Sequence, residues 1–115
     1  MKVLDFLLIL INVVLLVLGQ TLFKIGLSKA PISLDNIFKT IFQPHVFSGL
    51  VVYVVATLIW FYVLTKVDLS KAYPIQSLCY VLAAFVGIFV FKEVIPPIRW
   101  VGICLIVLGA GFVAF

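Results

Sequence analysis

The chain has 115 residues, of which 66% are hydrophobic and only 10% charged, and its mean hydropathy is +1.41. A soluble domain of this size carries roughly a quarter of its residues as charges, so the composition excludes a water-soluble globular protein and points to a membrane protein. The net charge is +4; the basic residues fall at predicted helix ends, where anionic lipid head groups, not nucleic acid, are the expected partner.

Four apolar stretches, at 3–28, 46–66, 71–91 and 97–115, each supply the about 20 residues needed to cross a bilayer. The connections between them are short. The expected organisation is a single all-α transmembrane domain over 1–115, with four spans and no soluble catalytic domain. Met1-Lys2 followed by an apolar run resembles the start of a signal peptide. That run reaches Phe23, beyond an h-region of about 7–15 residues, and no small-x-small cleavage site closes it. It is read as a retained first helix.

The first span carries Asn12, Gln20 and Lys24 among aliphatic residues. Steps of four residues advance about 40° on a helix, so 12, 16, 20 and 24 trace a slowly drifting stripe, expected to face the bundle interior. Gly19 lets another backbone come close. Lys24 lies about 13 Å from the centre of its span. Two readings stand for it: a side chain snorkelling to the interface, or a cation for an anionic ligand.

Residues 29–45 form the one sizeable connection. Pro31 ends the approach, Ser33 is placed to cap a helix over 34–43, and Leu34, Ile37, Phe38 and Ile41 share a face opposite Asp35, Asn36, Lys39 and Thr40. That pattern predicts a short interfacial helix in the head-group plane. Pro44 then turns the chain, with His45 an interfacial residue. In the second span Tyr53, Thr57 and Trp60 share a face, and Tyr53 and Trp60 are either belt aromatics or cavity lining.

The link from Lys66 to Lys71 is short enough to force the second and third spans antiparallel, and Asp68 or Ser70 is placed to cap the third. Tyr73, Gln76, Ser77 and Tyr80 fall at i, i+3, i+4 and i+7, which on one continuous helix makes a polar stripe. Such a stripe faces a partner helix or a cavity. Pro74 is tolerated in a first turn, or kinks the helix at the stripe if the helix begins nearer Asp68. Lys92, Glu93 and Arg99 are interfacial, with a Glu93–Arg99 or Glu93–Lys24 pair in reach. In the last span Gly102 and Gly109, seven apart, allow close helix approach, either within the unit or between copies.

Charge is nearly balanced across the membrane. Lys2, Lys66 and Lys71 collect on one side; Lys29, Lys39, Lys92 and Arg99, with Lys24 close by, collect on the other. Insertion both ways round is therefore allowed. Cys79 and Cys104 give no disulfide framework and no metal spacing. No nucleophile–base pair, metal cluster or phosphate loop is present in the sequence, so neither an enzyme nor a cofactor is expected.

Leu69-Ser70-Lys71-Ala72-Tyr73-Pro74-Ile75-Gln76-Ser77-Leu78, Phe91-Lys92-Glu93, Arg99-Trp100-Val101-Gly102 and Gly19-Gln20-Thr21-Leu22-Phe23-Lys24 resemble the EamA-type drug/metabolite transporter superfamily. The four-helix length narrows this to the small multidrug resistance family, or to the small subunits that flip 4-amino-4-deoxyarabinose-phosphoundecaprenol across the bacterial inner membrane. The multidrug exporters use a glutamate three residues before the glycine matching Gly19; here that position is Leu16. No acidic residue lies deep in any span, and a lipophilic cation needs a countercharge. The run Gly102 to Gly109 resembles that family's dimerisation helix and implies an antiparallel dimer.

The resemblance therefore implies a flippase for a polyprenyl-phosphate-linked sugar in the inner membrane, working as a homodimer or as a heterodimer with a similar small subunit. Lys24 is its expected cation. Asn12, Gln20, Tyr53, Trp60, Tyr73, Gln76, Ser77 and Tyr80 are expected to bind substrate, and Gly102 and Gly109 to form the dimer interface. The alternatives are a multidrug-type exporter and a non-transporting partner subunit of a membrane complex.

Overall fold

The computed structural model describes residues 3–29 and 35–114. The chain runs α1 (Val3–Lys29), α2 (Ile37–Ile41), α3 (Pro44–Lys66), α4 (Leu69–Gln76), α5 (Leu78–Phe89) and α6 (Pro97–Ala114), with no strand among the described residues. Four segments are long and apolar enough to cross a membrane: Val3–Lys29, Pro44–Lys66, Leu69–Phe89 and Pro97–Ala114. The protein is an integral membrane protein, and its described secondary structure is helical.

Helix α1 packs chiefly along α3, and a glycine seam explains how closely they approach. A Cβ built on Gly49 would lie 2.9 Å from the Gly19 carbonyl oxygen and 2.8 Å from the Phe23 ring. A Cβ on Gly26 would lie 2.6 Å from the Val46 side chain and 3.0 Å from the Val46 nitrogen. In a bilayer, where lipid is as apolar as leucine, such small residues let dispersion between backbones hold helices together. The approach expected of Gly19 is thus taken up by Gly49.

Three helix starts differ from the sequence reading, that of the third span, at Leu69 instead of 71, among them. The short interfacial helix covers only Ile37–Ile41 instead of 34–43. Ser33 and Leu34, its expected cap and first residue, lie outside the described residues, as do Pro31 and Phe115. Helix α3 begins at Pro44, two residues before the expected start, because proline at N1 has no amide hydrogen to leave unpaired. Gln43 caps it by accepting the Val46 amide on Oε1 at 3.0 Å. A glutamine N-cap carries little sequence signal.

The third span is two helices. It begins at Leu69, early enough that Pro74 sits five residues in, past the first turn, and its missing amide hydrogen interrupts the ladder. The helix then ends in a turn at Ser77. The Ser77 amide donates to the Tyr73 and Pro74 carbonyls at 3.1 Å each, the Ser77 hydroxyl donates to the Pro74 carbonyl, and α5 starts afresh at Leu78. Asp68 holds the N-cap position of α4 but makes no side-chain capping bond.

The core lies where α1, α3 and α4 meet: Ile9, Val13, Val63, Val67, Ala72 and Ile75 are all buried. Helix α6 closes one side against α4 and α5 and leaves Ile98, Val101, Leu105, Leu108 and Phe112 exposed, as a lipid-facing or partner-facing helix does.

Replacing Gly49 by alanine is expected to destabilise the detergent-solubilised monomer by about 1–3 kcal/mol, because the Phe23 ring would have to shift and the Gly19 carbonyl oxygen, being backbone, cannot rotate away. Gly102→Ala and Gly109→Ala, which meet nothing within 4 Å, are expected to stay within about 0.5 kcal/mol. Unfolding in mixed micelles followed by circular dichroism measures both.

Candidate functional site

Among the described residues two polar clusters stand out, one near mid-depth and one toward the end of the first span. The deeper centre is Asn12, which is fully buried. Its Nδ2 donates to the Ala56 carbonyl of α3 at 2.6 Å, and its Oδ1 accepts from Gln76 Nε2 of α4 at 2.9 Å. Asn12 is about 6 Å from the midpoint of α1 at 1.5 Å per residue. One amide thus ties three helices at a depth where an unpaired polar group has no water to turn to.

Gln76 sits at the last turn of α4, directly before the break at Ser77. The break also separates the four residues of the expected polar stripe. Tyr73 and Tyr80 are 60% and 61% exposed, whereas Gln76 turns inward to Asn12 and the Ser77 hydroxyl is used on Pro74. The stripe assumed one continuous helix; Pro74 removes that continuity.

The second centre is a cleft of about 240 Å³ between α1, α5 and the turn after α5. Val17, Gln20, Thr21 and Lys24 line it from α1, Ala83, Val86 and Gly87 from α5, and Phe91 and Glu93 from the turn. Ligand sites for drug-sized molecules typically measure about 300–1,000 Å³. This cleft suits a polar head group and not a whole lipid. Lys24 forms an ion pair with Glu93, and its ammonium lies 4.6 Å from the centre of the Phe91 ring. The two charged side chains remain 56% and 44% exposed, so the pair contributes at most about 1 kcal/mol to stability and stays open to exchange.

Of the residues expected to bind substrate, Gln20 and Lys24 line this cleft, while Asn12 and Gln76 form the deeper centre. Tyr53 and Trp60 line neither: Tyr53 packs on Phe23 with ring centres 6.1 Å apart, and Trp60 meets Tyr73 edge-on at 6.2 Å. Gly102 and Gly109 lie on α6 away from both. Sequence reasoning placed Glu93 at an interface, within reach of Lys24, without assigning it to a site. It also gave no site role to Thr21, Phe91 or Gly87. The spacing of Phe91-Lys92-Glu93 after a span held the signal, but which span it folds back on is a tertiary fact. Among the described residues no group of three or more His, Cys, Asp or Glu is placed to hold a metal ion.

The coupling between Asn12 and Gln76 is expected to be measurable. A double-mutant cycle of Asn12→Ala and Gln76→Ala should give an interaction free energy of about 0.6–2 kcal/mol, the range found for polar contacts between membrane helices. The same micelle unfolding measurement reads it.

Comparison with known proteins places this geometry in context. A protein of Proteus mirabilis named as the probable 4-amino-4-deoxy-L-arabinose-phosphoundecaprenol flippase subunit ArnF is 31% identical, over 90% of this chain and 86% of its own length. The corresponding probable subunit ArnE of Pseudomonas savastanoi pv. phaseolicola is 46% identical over 45% of this chain. That match spans 46% of the relative's length, so the chain covers about half of this curated relative. No solved structure matches. Residues 3–115 match the EamA-like transporter family, and with nearly the whole chain covered, the protein belongs to that family.

Proposed function

We propose that the protein is a flippase subunit that moves a polyprenyl-phosphate-linked sugar, or a similar amphiphilic lipid, across the bacterial inner membrane. The observation that carries this reading is the similarity to the Proteus mirabilis flippase subunit, which extends over 90% of the chain. The cleft supports it chemically. A phosphate crossing a bilayer needs a cation and several donors, and Lys24 and Gln20 supply these at the membrane face. The polyprenyl tail stays in lipid, since the cleft holds only a head group.

The protein acts as a dimer. Relatives of two kinds carry the word subunit in their names, which favours a heterodimer with a similar small chain over a homodimer. An antiparallel pair places one Lys24 cleft at each membrane face, giving equivalent docking positions before and after transfer. Rocking between the two forms would bend each chain at Pro74 and Ser77. Gly102 and Gly109, with open space around them, then lie at the interface between chains. The protein performs no covalent chemistry on its cargo.

Two exporter features argue against the multidrug alternative: Leu16 stands where those transporters use a carboxylate, and Glu93 is paired with a lysine. A titrating countercharge deep in the bilayer is what that mechanism needs.

Lys24→Met and Gln76→Leu, made separately, are each expected to reduce lipid-linked sugar on the outer face several-fold at unchanged protein level. Labelling intact cells with an impermeant amine reagent measures the display. Normal display in both variants would remove these residues from the transport path. Expression that confers resistance to quaternary ammonium compounds would replace the lipid by a small cation.

A further inference from the structure

We propose that the Lys24–Glu93 pair is a binding site for a zwitterionic head group, Lys24 taking the ligand's phosphate and Glu93 its ammonium; the proposal rests on the lipid-flippase reading above. A solitary lysine would suffice for a phosphate. The structure instead holds a carboxylate beside it, and several features combine to put it there.

The first is Gly87. A Cβ at this position would lie 2.8 Å from Glu93 Oε2 and 3.2 Å from its Cδ, so the carboxyl group rests where a side chain on α5 would otherwise be. The second is the turn. Lys92 adopts a left-handed conformation at φ 55°, which is strained for a residue with a Cβ. It is the only non-glycine residue to do so among the described ones. This folds the chain back so that the Glu93 amide donates to the Gly87 carbonyl at 2.9 Å. The third is Phe91, whose ring flanks the Lys24 ammonium at 4.6 Å and helps hold it at the cleft mouth.

The pair borders the cleft that Gln20 and Thr21 also line. The Thr21 hydroxyl donates to the Val17 carbonyl at 2.7 Å, which leaves its lone pairs free to accept from a ligand.

The selectivity follows from what each ligand leaves unpaired. With no ligand bound, Lys24 and Glu93 neutralise each other. A head group carrying both an anion and a cation separates them and gives each a new partner, so no charge is stranded. A head group carrying only phosphate takes Lys24 and leaves Glu93 beside a second negative charge. Discrimination by a repelled or unpaired group is as effective as discrimination by an added attraction. The two relatives described above are named for a lipid whose sugar carries an amino group and whose linkage carries a phosphate. That is the ligand class the pair fits.

The test uses the full chain in nanodiscs, together with any small subunit that copurifies. Two probes are compared by thermophoresis: the farnesyl phosphate of 4-amino-4-deoxyarabinose, and the same molecule with its amine acetylated. The wild type is expected to prefer the free amine by roughly tenfold, the value of one charge-assisted hydrogen bond. Glu93→Gln should bring the preference to about one, weakening the free-amine probe, which loses its carboxylate partner, and strengthening the acetylated probe, which no longer meets a second negative charge. Gly87→Ala, which leaves the carboxylate in place chemically but displaces it, should reduce the preference part of the way. Lys24→Met should weaken both probes together.

A preference that survives Glu93→Gln overturns the proposal. So does a wild type that binds both probes equally, and in that case the lipid-flippase reading stands without it. A wild type that binds neither probe overturns both.

Discussion

The amide of Asn12 is the constraint around which the helices are arranged. It joins α1, α3 and α4 by hydrogen bonds as well as by packing. In water such a group could trade partners at small cost. Near the middle of an apolar layer it cannot, so its two bonds fix the rotation of α1 about its axis and the depth of α4 against it. Ile9 and Val13, adjacent on α1, then necessarily face Val63, Ala72 and Ile75. The glycine seam at Gly19, Gly26 and Gly49 sets how near α1 and α3 come, and Asn12 sets their register.

The same contact links the interior to the break in the third span. Gln76 is the last residue of α4, and the chain turns at Ser77 before α5 begins. At this break the Ser77 amide and hydroxyl both find carbonyl acceptors in the preceding turn, so neither is left unpaired in the apolar layer. The segment that is easiest to bend is therefore clamped by one side-chain bond to α1. The charged cleft lies at the far end of α5, so a bend at Ser77 would move Gly87 and the turn bearing Glu93 relative to Lys24 on α1.

The all-helical architecture, the four spans and the membrane setting were legible from composition and run length, since hydrocarbon thickness sets the length of an apolar helix almost irrespective of detail. Helix ends were less legible. The start at Pro44 depends on a glutamine cap, and the division at Ser77 depends on whether α4 starts at Leu69 or later. The spacing of Tyr73, Gln76, Ser77 and Tyr80 was real, but its meaning assumed an unbroken 3.6-residue period. Once Pro74 interrupts that period, two of these side chains face outward and one faces Asn12.

The sequence by itself determined the solvent the protein lives in, the number of its spans, the resemblance to its family and the absence of a carboxylate at Leu16. These are properties of single segments, and local composition is enough to specify them. Only the tertiary structure decided which polar residues meet. Asn12 and Gln76 are 64 residues apart and Lys24 and Glu93 are 69 apart. No periodicity within one helix carries information about such pairs, because they depend on how helices rotate and how closely glycines let them approach. The tertiary contact therefore decided between the two pairs the sequence allowed, giving Glu93 to Lys24 and not to Arg99.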